Sequence, residues 1–171
     1  MKNSLLAFLA LYGMAGCVKP PSYPIEPQIE FKSVSSSLIK HGQVDTITFS
    51  FTDGDGDIGV IPLPGDTCDL INSLKSGDSS CFNMSGFNVY LVDNRDTSIQ
   101  AFATAYVAPK GKYSALSGDI QVIVGMYSKT CFAPPQPGCP KDSVKFAILF
   151  KDLAGHRSNI VHTTPIVIDG E

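Results

Sequence analysis

The fold of this chain is decided by the stretch Asp45-Thr-Ile-Thr-Phe-Ser-Phe-Thr-Asp-Gly-Asp-Gly-Asp-Ile-Gly59. Its first half alternates, with Ile47, Phe49 and Phe51 on one side and hydroxyl residues on the other. That period of two is typical of a half-buried strand. Its second half carries three carboxylates and three glycines, which favour a sharply curved loop. The stretch therefore predicts a strand that ends in an acidic loop.

Six other segments show similar alternation or a short apolar run, and turn residues separate them. The seven predicted strands are residues 29–34, 45–51, 87–92, 98–106, 119–126, 144–150 and 159–168. Outside residues 5–12, no stretch has the 3.6-residue apolar period of an amphipathic helix. Fifteen glycines and twelve prolines also suit a turn-rich chain. We therefore predict an all-β fold, an antiparallel β-sandwich of about seven strands over residues 29–169.

The N-terminal residues predict export. Met1-Lys2-Asn3 is short and positive, and the apolar run over residues 5–12 is too short to span a bilayer. The next motif, Met14-Ala15-Gly16-Cys17, resembles the lipobox of bacterial lipoproteins, in which the cysteine is lipidated and becomes the new N-terminus. The resemblance implies a signal peptide over residues 1–16 and lipidation of Cys17. The alternative is an ordinary secretory signal with an incidental cysteine.

The residues after Cys17 predict a location and a tether. Lipoproteins kept at the inner membrane generally have Asp after the lipidated cysteine, so Val18 implies the outer membrane, on its periplasmic face or at the cell surface. Residues 17–28 contain four prolines, which fix φ and favour extended polyproline II. This tether would reach up to about 35 Å, at ~3.1 Å per residue.

A second resemblance concerns the end of the chain. The segment Phe150-Lys-Asp-Leu-Ala-Gly-His-Arg-Ser-Asn159 resembles the D-x-A-G-N-x-S turn before the last strand of many bacterial immunoglobulin-like domains. With the lipobox and the D-G-D-G-D-I-G loop, the chain resembles small lipoproteins of Gram-negative bacteria with one such domain. The resemblance implies an immunoglobulin-like sandwich and no particular activity. In that topology, loops 53–86 and 152–158 share one end of the sandwich with the N-terminal tether.

The acidic loop is a candidate calcium site, with Asp53, Asp55 and Asp57 as ligands. Calcium takes six to eight oxygen ligands, and carboxylates two residues apart in a tight loop can converge on one ion. Asp152 is the fourth candidate, because its loop is expected at the same end. The loop is not an EF-hand, since Ile58 stands where that pattern requires glycine. The alternative is a solvated turn, because turns also select Gly and Asp.

The cysteines other than Cys17 predict two disulfides. They are Cys68, Cys81, Cys131 and Cys139, an even number in an oxidising compartment. Three pairings are possible, and we favour Cys68–Cys81 with Cys131–Cys139, because each pair encloses a polar or proline-rich loop. A metal site of four thiolates would need close C-x-x-C pairs, which the sequence lacks.

Composition and motifs limit the function. The net charge is −3 without any basic run, which disfavours nucleic acid because phosphate contacts need clustered Lys or Arg. The motif G-x-G-x-x-G at residues 54–59 is followed by two prolines within five residues, so no phosphate-binding helix can follow it. No hydrolase or zinc-protease motif is present. We therefore expect no enzymatic activity.

These observations predict a lipid-anchored outer-membrane module that acts by binding or spacing. It would contact the membrane through its lipid and have a protein or glycan partner. The alternative is a carbohydrate-binding accessory lipoprotein. Such modules use exposed aromatic rings as stacking platforms, and this chain has no Trp. Its candidates are Tyr23, Tyr106, Tyr113 and Tyr127, of which two or three on one face would favour the alternative.

Overall fold

The computed structural model describes residues 21–60, 86–108, 114–130 and 139–170. These residues form ten strands and no helix. The strands are β1 (Gln28–Val34), β2 (Leu38–Lys40), β3 (Val44–Asp53), β4 (Val89–Asp93), β5 (Ile99–Phe102), β6 (Leu116–Gly125), β7 (Asp142–Val144), β8 (Phe146–Phe150), β9 (Val161–His162) and β10 (Ile166–Asp169). Within these ranges, no helix long and apolar enough to cross a membrane is found.

The strands form three sheets. Sheet 1 has the order β1-β3-β6 and sheet 2 the order β5-β4-β8-β9, and both are antiparallel throughout. Sheet 3 is small, with the order β2-β10-β7, and its β2–β10 pair is parallel.

Sheets 1 and 2 pack face to face around one apolar core. On β3 the alternation buries Ile47 and Phe49 completely, as the sequence pattern predicted. From the opposite sheet, β8 contributes Phe150, whose ring centroid is 6.3 Å from that of Phe49 and 6.0 Å from that of Phe51. The prediction of an all-β sandwich is therefore confirmed.

The last two predicted strands are each divided. The predicted strand 144–150 breaks at Lys145, because β7 pairs with β10 in sheet 3 whereas β8 pairs with β4 in sheet 2. The predicted strand 159–168 breaks before Pro165, which has no N–H to donate to a ladder. β9 remains in sheet 2 and β10 crosses to sheet 3. The prediction missed β2, since three residues are too few to show a period.

Several predicted features lie outside the described residues. They are the signal peptide, the lipidated Cys17 and three of the other cysteines, Cys68, Cys81 and Cys131. The anchor and the pairing of the cysteines, including that of Cys139, therefore stay predictions.

Candidate metal centre at the acidic end

Asp53 faces inward because it is in phase with the core residues of β3. Side chains two residues apart in a strand lie on the same face. The alternation that buries Phe49 and Phe51 thus buries Asp53 as well, and its side chain is fully buried. The last residue of this strand is therefore a carboxylate at the end of an apolar core.

Asp152 has the same relation to sheet 2. It follows Phe150 by two residues beyond the end of β8, and it is 2% exposed. Because the rings of Phe150 and Phe51 are packed against each other, the two strands deliver their following aspartates to the same end of the sandwich. We call this end, with Asp53, Asp55, Asp57 and Asp152, the acidic end.

The four carboxylates of the acidic end converge. Each offers one oxygen, and these four oxygens all lie within 4.8 Å of one another. They are the four residues that the sequence suggested as calcium ligands. Asp53 and Asp152 are buried, Asp57 is half-buried and Asp55 is exposed, so the cluster extends from the core to the surface.

Hydrogen bonds fasten the two loops to each other. The acidic loop (residues 53–59) is closed by the Gly56 N–H, which donates to Oδ2 of Asp53 at 2.6 Å. Asp57 joins it to the second loop (residues 152–158), because its Oδ2 accepts from the Ala154 N–H at 2.8 Å and its carbonyl from the Leu153 N–H at 3.0 Å. Gly56 has φ of 74°, a left-handed conformation that favours glycine.

At the acidic end, two buried carboxylate oxygens have no hydrogen-bond partner among the described residues. They are Oδ1 of Asp53 and Oδ1 of Asp57, and both are buried. Buried polar atoms are nearly always hydrogen-bonded or bound to an ion or water, because desolvation without a partner is unfavourable. These two oxygens belong to carboxylates that already converge on a common point.

Burial and mutual repulsion perturb the ionisation of these carboxyls. Burial, together with the charges of Asp55 and Asp57, raises the pKa of Asp53 to about 6 against the lowering effect of the hydrogen bond from Gly56. Burial also raises the pKa of Asp57, with contributions from the charges of Asp152 and Asp55. The acidic end therefore favours any species that neutralises it.

His156 holds the Asp152 carboxylate through both its backbone and its ring. Its backbone N–H donates to Oδ1 of Asp152 at 2.7 Å, and its ring Nδ1 is 2.8 Å from Oδ2. The hydrogen bond with Asp152 raises the pKa of His156, and the charges of Asp55 and Glu26 act in the same direction. Sequence reasoning missed this contact. The four-residue spacing from Asp152 was the available signal.

The N-terminal segment runs across the acidic end. A Cβ on Gly54 would lie 2.5 Å from the carbonyl oxygen of Tyr23 and 2.6 Å from that of Pro24, so only glycine fits. The side chain of Asn159, just past the second loop, accepts from the Ile29 N–H at 2.8 Å and donates to the Ile29 carbonyl at 2.9 Å. The described residues before β1 therefore contact the sandwich at the acidic end.

The exposed tyrosines of the described residues lie at two different ends. Tyr106 approaches the acidic loop, since its Cα would be 2.5 Å from a Cβ on Gly59. Tyr127 packs edge-on against His41, just before the start of β3, with ring centroids 5.7 Å apart. The ten residues of β3 span about 33 Å between these ends. Tyr106 and Tyr127 thus form no common platform, Tyr23 is half-buried, and Tyr113 lies outside the described residues.

Comparison with protein-family models and with curated proteins found no match to this chain. Its function is therefore inferred from its own residues.

Proposed function

We propose that the protein is a lipid-anchored outer-membrane module whose acidic end binds calcium, and that it acts as a spacer or binding module. One observation carries the calcium site: four carboxylates converge within 4.8 Å, and two of them hold a buried oxygen with no partner among the described residues. Repulsion alone would push such groups apart or into water. A divalent cation supplies the missing partner and the missing charge.

The donor set fits calcium best. Every candidate ligand is a carboxylate oxygen, whereas zinc sites are built from Cys and His with or without a carboxylate. Magnesium keeps several waters and uses one or two carboxylates rather than four. Calcium–oxygen distances of about 2.3–2.6 Å place ligands on opposite sides of the ion about 4.6–5.2 Å apart. Oxygens within 4.8 Å of one another can therefore share one calcium ion.

The role of the ion is mechanical. It would join the end of β3, the acidic loop and the second loop, three segments that come from both sheets. The tether crosses the same end, so calcium would also stiffen the point at which the anchor meets the domain. A spacer needs a defined direction away from the membrane, and a rigid joint supplies it. The lipidated Cys17 and the proline-rich tether are the sequence features that support the anchored part of this proposal.

Thermal unfolding of the full chain with Cys17→Ser tests the ion site. An extracellular-type affinity of about 10⁻⁴–10⁻³ M would stabilise the fold by roughly 1.4–2.7 kcal/mol at 10 mM calcium. The expected rise in Tm over a chelator control is about 3–10 °C. It should vanish in Asp53→Asn/Asp55→Asn. The matched control is Asp119→Asn, which changes an exposed aspartate on β6 and should keep the rise. If the chain with all four aspartates has the same Tm in calcium and in chelator, the calcium site is refuted.

Palmitate labelling tests the anchor separately. Label should enter the wild-type protein in the membrane fraction and be lost in Cys17→Ala. Export of unlabelled wild-type protein as a soluble species would refute the anchor without affecting the calcium site.

A further inference from the structure

The outer face of sheet 2 is unusually apolar. On β4 and β8 the residues that point away from the core include Tyr90, Val92 and Leu149, and all are half-buried. The corresponding residues of β3 in sheet 1 include Thr48 and Ser50. An antiparallel sheet with one solvated face normally alternates apolar and polar residues, as β3 does. Sheet 2 departs from that rule on its outer side.

This face contains a groove, which we call the outer groove. Its volume is about 400 Å³, within the size range of small-ligand sites. The small residue Ala147 pairs with Val92 across the strands and lies among larger lining side chains, which accounts for the depression. Ile99 and Ile160 also line it, and they are 58% and 60% exposed.

Two cations border the groove, Lys151 and Arg157. Their backbones form an antiparallel bridge, which places them at one end of β8, and Nζ of Lys151 lies 6.0 Å from the ring centroid of Tyr90. Neither forms a salt bridge with any residue in the described ranges. The hydroxyl of Tyr90 already donates to the Phe87 carbonyl at 3.0 Å. The groove thus offers apolar surface and two unneutralised positive charges.

These features define the ligand. A second copy of the chain fits poorly, because Lys145 precedes the other end of β8 and an antiparallel face-to-face pair would bring it against Lys151 and Arg157. A neutral sugar fits poorly too, since the lining has few side chains that could bind its hydroxyls.

We propose that the outer groove binds an amphiphilic carboxylate of the medium-chain fatty acid type. The alkyl chain lies over Ala147 and the carboxylate meets Lys151 and Arg157.

Titration of the Cys17→Ser chain with sodium octanoate, followed by backbone amide NMR, tests this. Saturable shifts are expected at the outward-facing residues of β4 and β8. Octanamide, which has the same chain without the charge, should bind roughly tenfold more weakly. The pair Lys151→Gln/Arg157→Gln should weaken octanoate binding by a similar factor. The matched pair Lys32→Gln/Lys40→Gln removes two cations outside sheet 2 and should leave the affinity within about twofold.

A second variant separates the apolar contact from the charge. In Ala147→Phe the new ring points outward and fills the floor of the groove, so the octanoate-induced shifts should disappear. An unchanged far-ultraviolet circular dichroism spectrum and a near-wild-type Tm would show that the fold is intact. Shifts that fail to saturate, that spread over the whole surface, or that are equal for octanamide would overturn the proposal. So would undiminished binding by Ala147→Phe. None of these results depends on the calcium site, which shares no side chain with the groove.

Discussion

Asp53 and Asp152 close the same end of the core, each two residues beyond one of two phenylalanines whose ring centroids are 6.0 Å apart. The contact of Phe51 with Phe150 thus holds two carboxylates close together that would otherwise separate. Two ionised carboxylates about 4.8 Å apart repel by roughly 3 kcal/mol at an effective dielectric constant of about 20. Apolar packing therefore brings two like charges together, and a bound cation would reduce their repulsion.

Asp53→Asn should change stability in opposite directions with and without calcium. In chelator, the amide removes a buried charge whose pKa is raised to about 6, so the unfolding free energy at neutral pH should rise by about 1–3 kcal/mol. The remaining oxygen can still accept from Gly56. In 10 mM calcium the variant lacks a ligand and should fall below wild type. Chemical unfolding in both buffers measures this, and Asp119→Asn should show no reversal.

Calcium binding should weaken as pH falls through about 6. Ligation needs ionised carboxylates, and the raised pKa of Asp53 lets protons compete with the ion in this range. In the calcium-free protein, pH should act on Asp53 in the opposite direction. The contribution of Asp53 to the unfolding free energy is most favourable below the usual pKa near 3.8 and is lost as pH rises through about 6. Calorimetric titrations at pH 5, 6 and 7.5 test the first statement. An affinity that is constant over this range would contradict it.

Gly54→Ala should loosen the N-terminal segment and spare the ligands. The new Cβ would lie 2.5 and 2.6 Å from the carbonyl oxygens of Tyr23 and Pro24, too close for either to stay in place. Faster amide exchange is expected at Ile29, whose N–H donates to the Asn159 side chain at 2.8 Å, with all four carboxylates retained. Gly86→Ala is the matched control, since a Cβ there meets nothing within 4 Å. Exchange rates unchanged by Gly54→Ala would show that the segment is not held at this point.

Arg95→Met should be strongly destabilising at neutral pH. Arg95 bonds Asp93 through two nitrogens and Asp142 at 2.6 Å, and Asp93 is 2% exposed. Removing one partner of a buried pair typically costs about 3–5 kcal/mol. Lys32→Met is the control, because both side chains of the Lys32–Asp119 pair are 48% exposed and such pairs contribute at most about 1 kcal/mol.

The loss in Arg95→Met should also depend on pH. Burial alone would raise the pKa of Asp93, but the hydrogen bonds from Arg95 and the charges of Arg95 and Lys129 together outweigh burial and hold the pKa below its usual value. A lowered pKa stabilises the fold above about pH 4, and that contribution is lost as pH falls further. The difference in unfolding free energy between wild type and Arg95→Met should therefore decrease below about pH 4. A gap that is constant from pH 7 to pH 3 would contradict this explanation.

Peptide mapping without reduction should find Cys68–Cys81 and Cys131–Cys139. Of these four cysteines only Cys139 lies within the described residues, so the pairing is predicted from the sequence alone. Closing loops of this size stabilises by roughly 2.5–3 kcal/mol each on the chain-entropy estimate. Reduction should therefore lower Tm, and replacement of both Cys131 and Cys139 by serine should reproduce part of that loss. A peptide that joins Cys68 to Cys139 would contradict the pairing.

Local pattern determined what each segment is. The alternation over residues 45–51 predicted β3, but the burial of Asp53, two residues past the predicted end of that strand, was not predicted. The clustered carboxylates and glycines indicated a curved acidic loop, because these residue types favour such turns whatever surrounds them. The lipobox and the prolines after it also act locally, so the anchor and tether predictions rest on sequence alone.

Only the tertiary structure decided which segments meet. Residue 152 lies 99 positions after residue 53. The resemblance to immunoglobulin-like domains predicted that their loops share one end, but no local period predicts that the two strands before them pack face to face. The divided strands, the passage of Tyr23 and Pro24 over Gly54, and the apolar outer side of sheet 2 likewise depend on sheet partners. The physical reason is that strand periodicity specifies which face of a strand is apolar, whereas the partner of that face is selected by packing between residues distant in sequence.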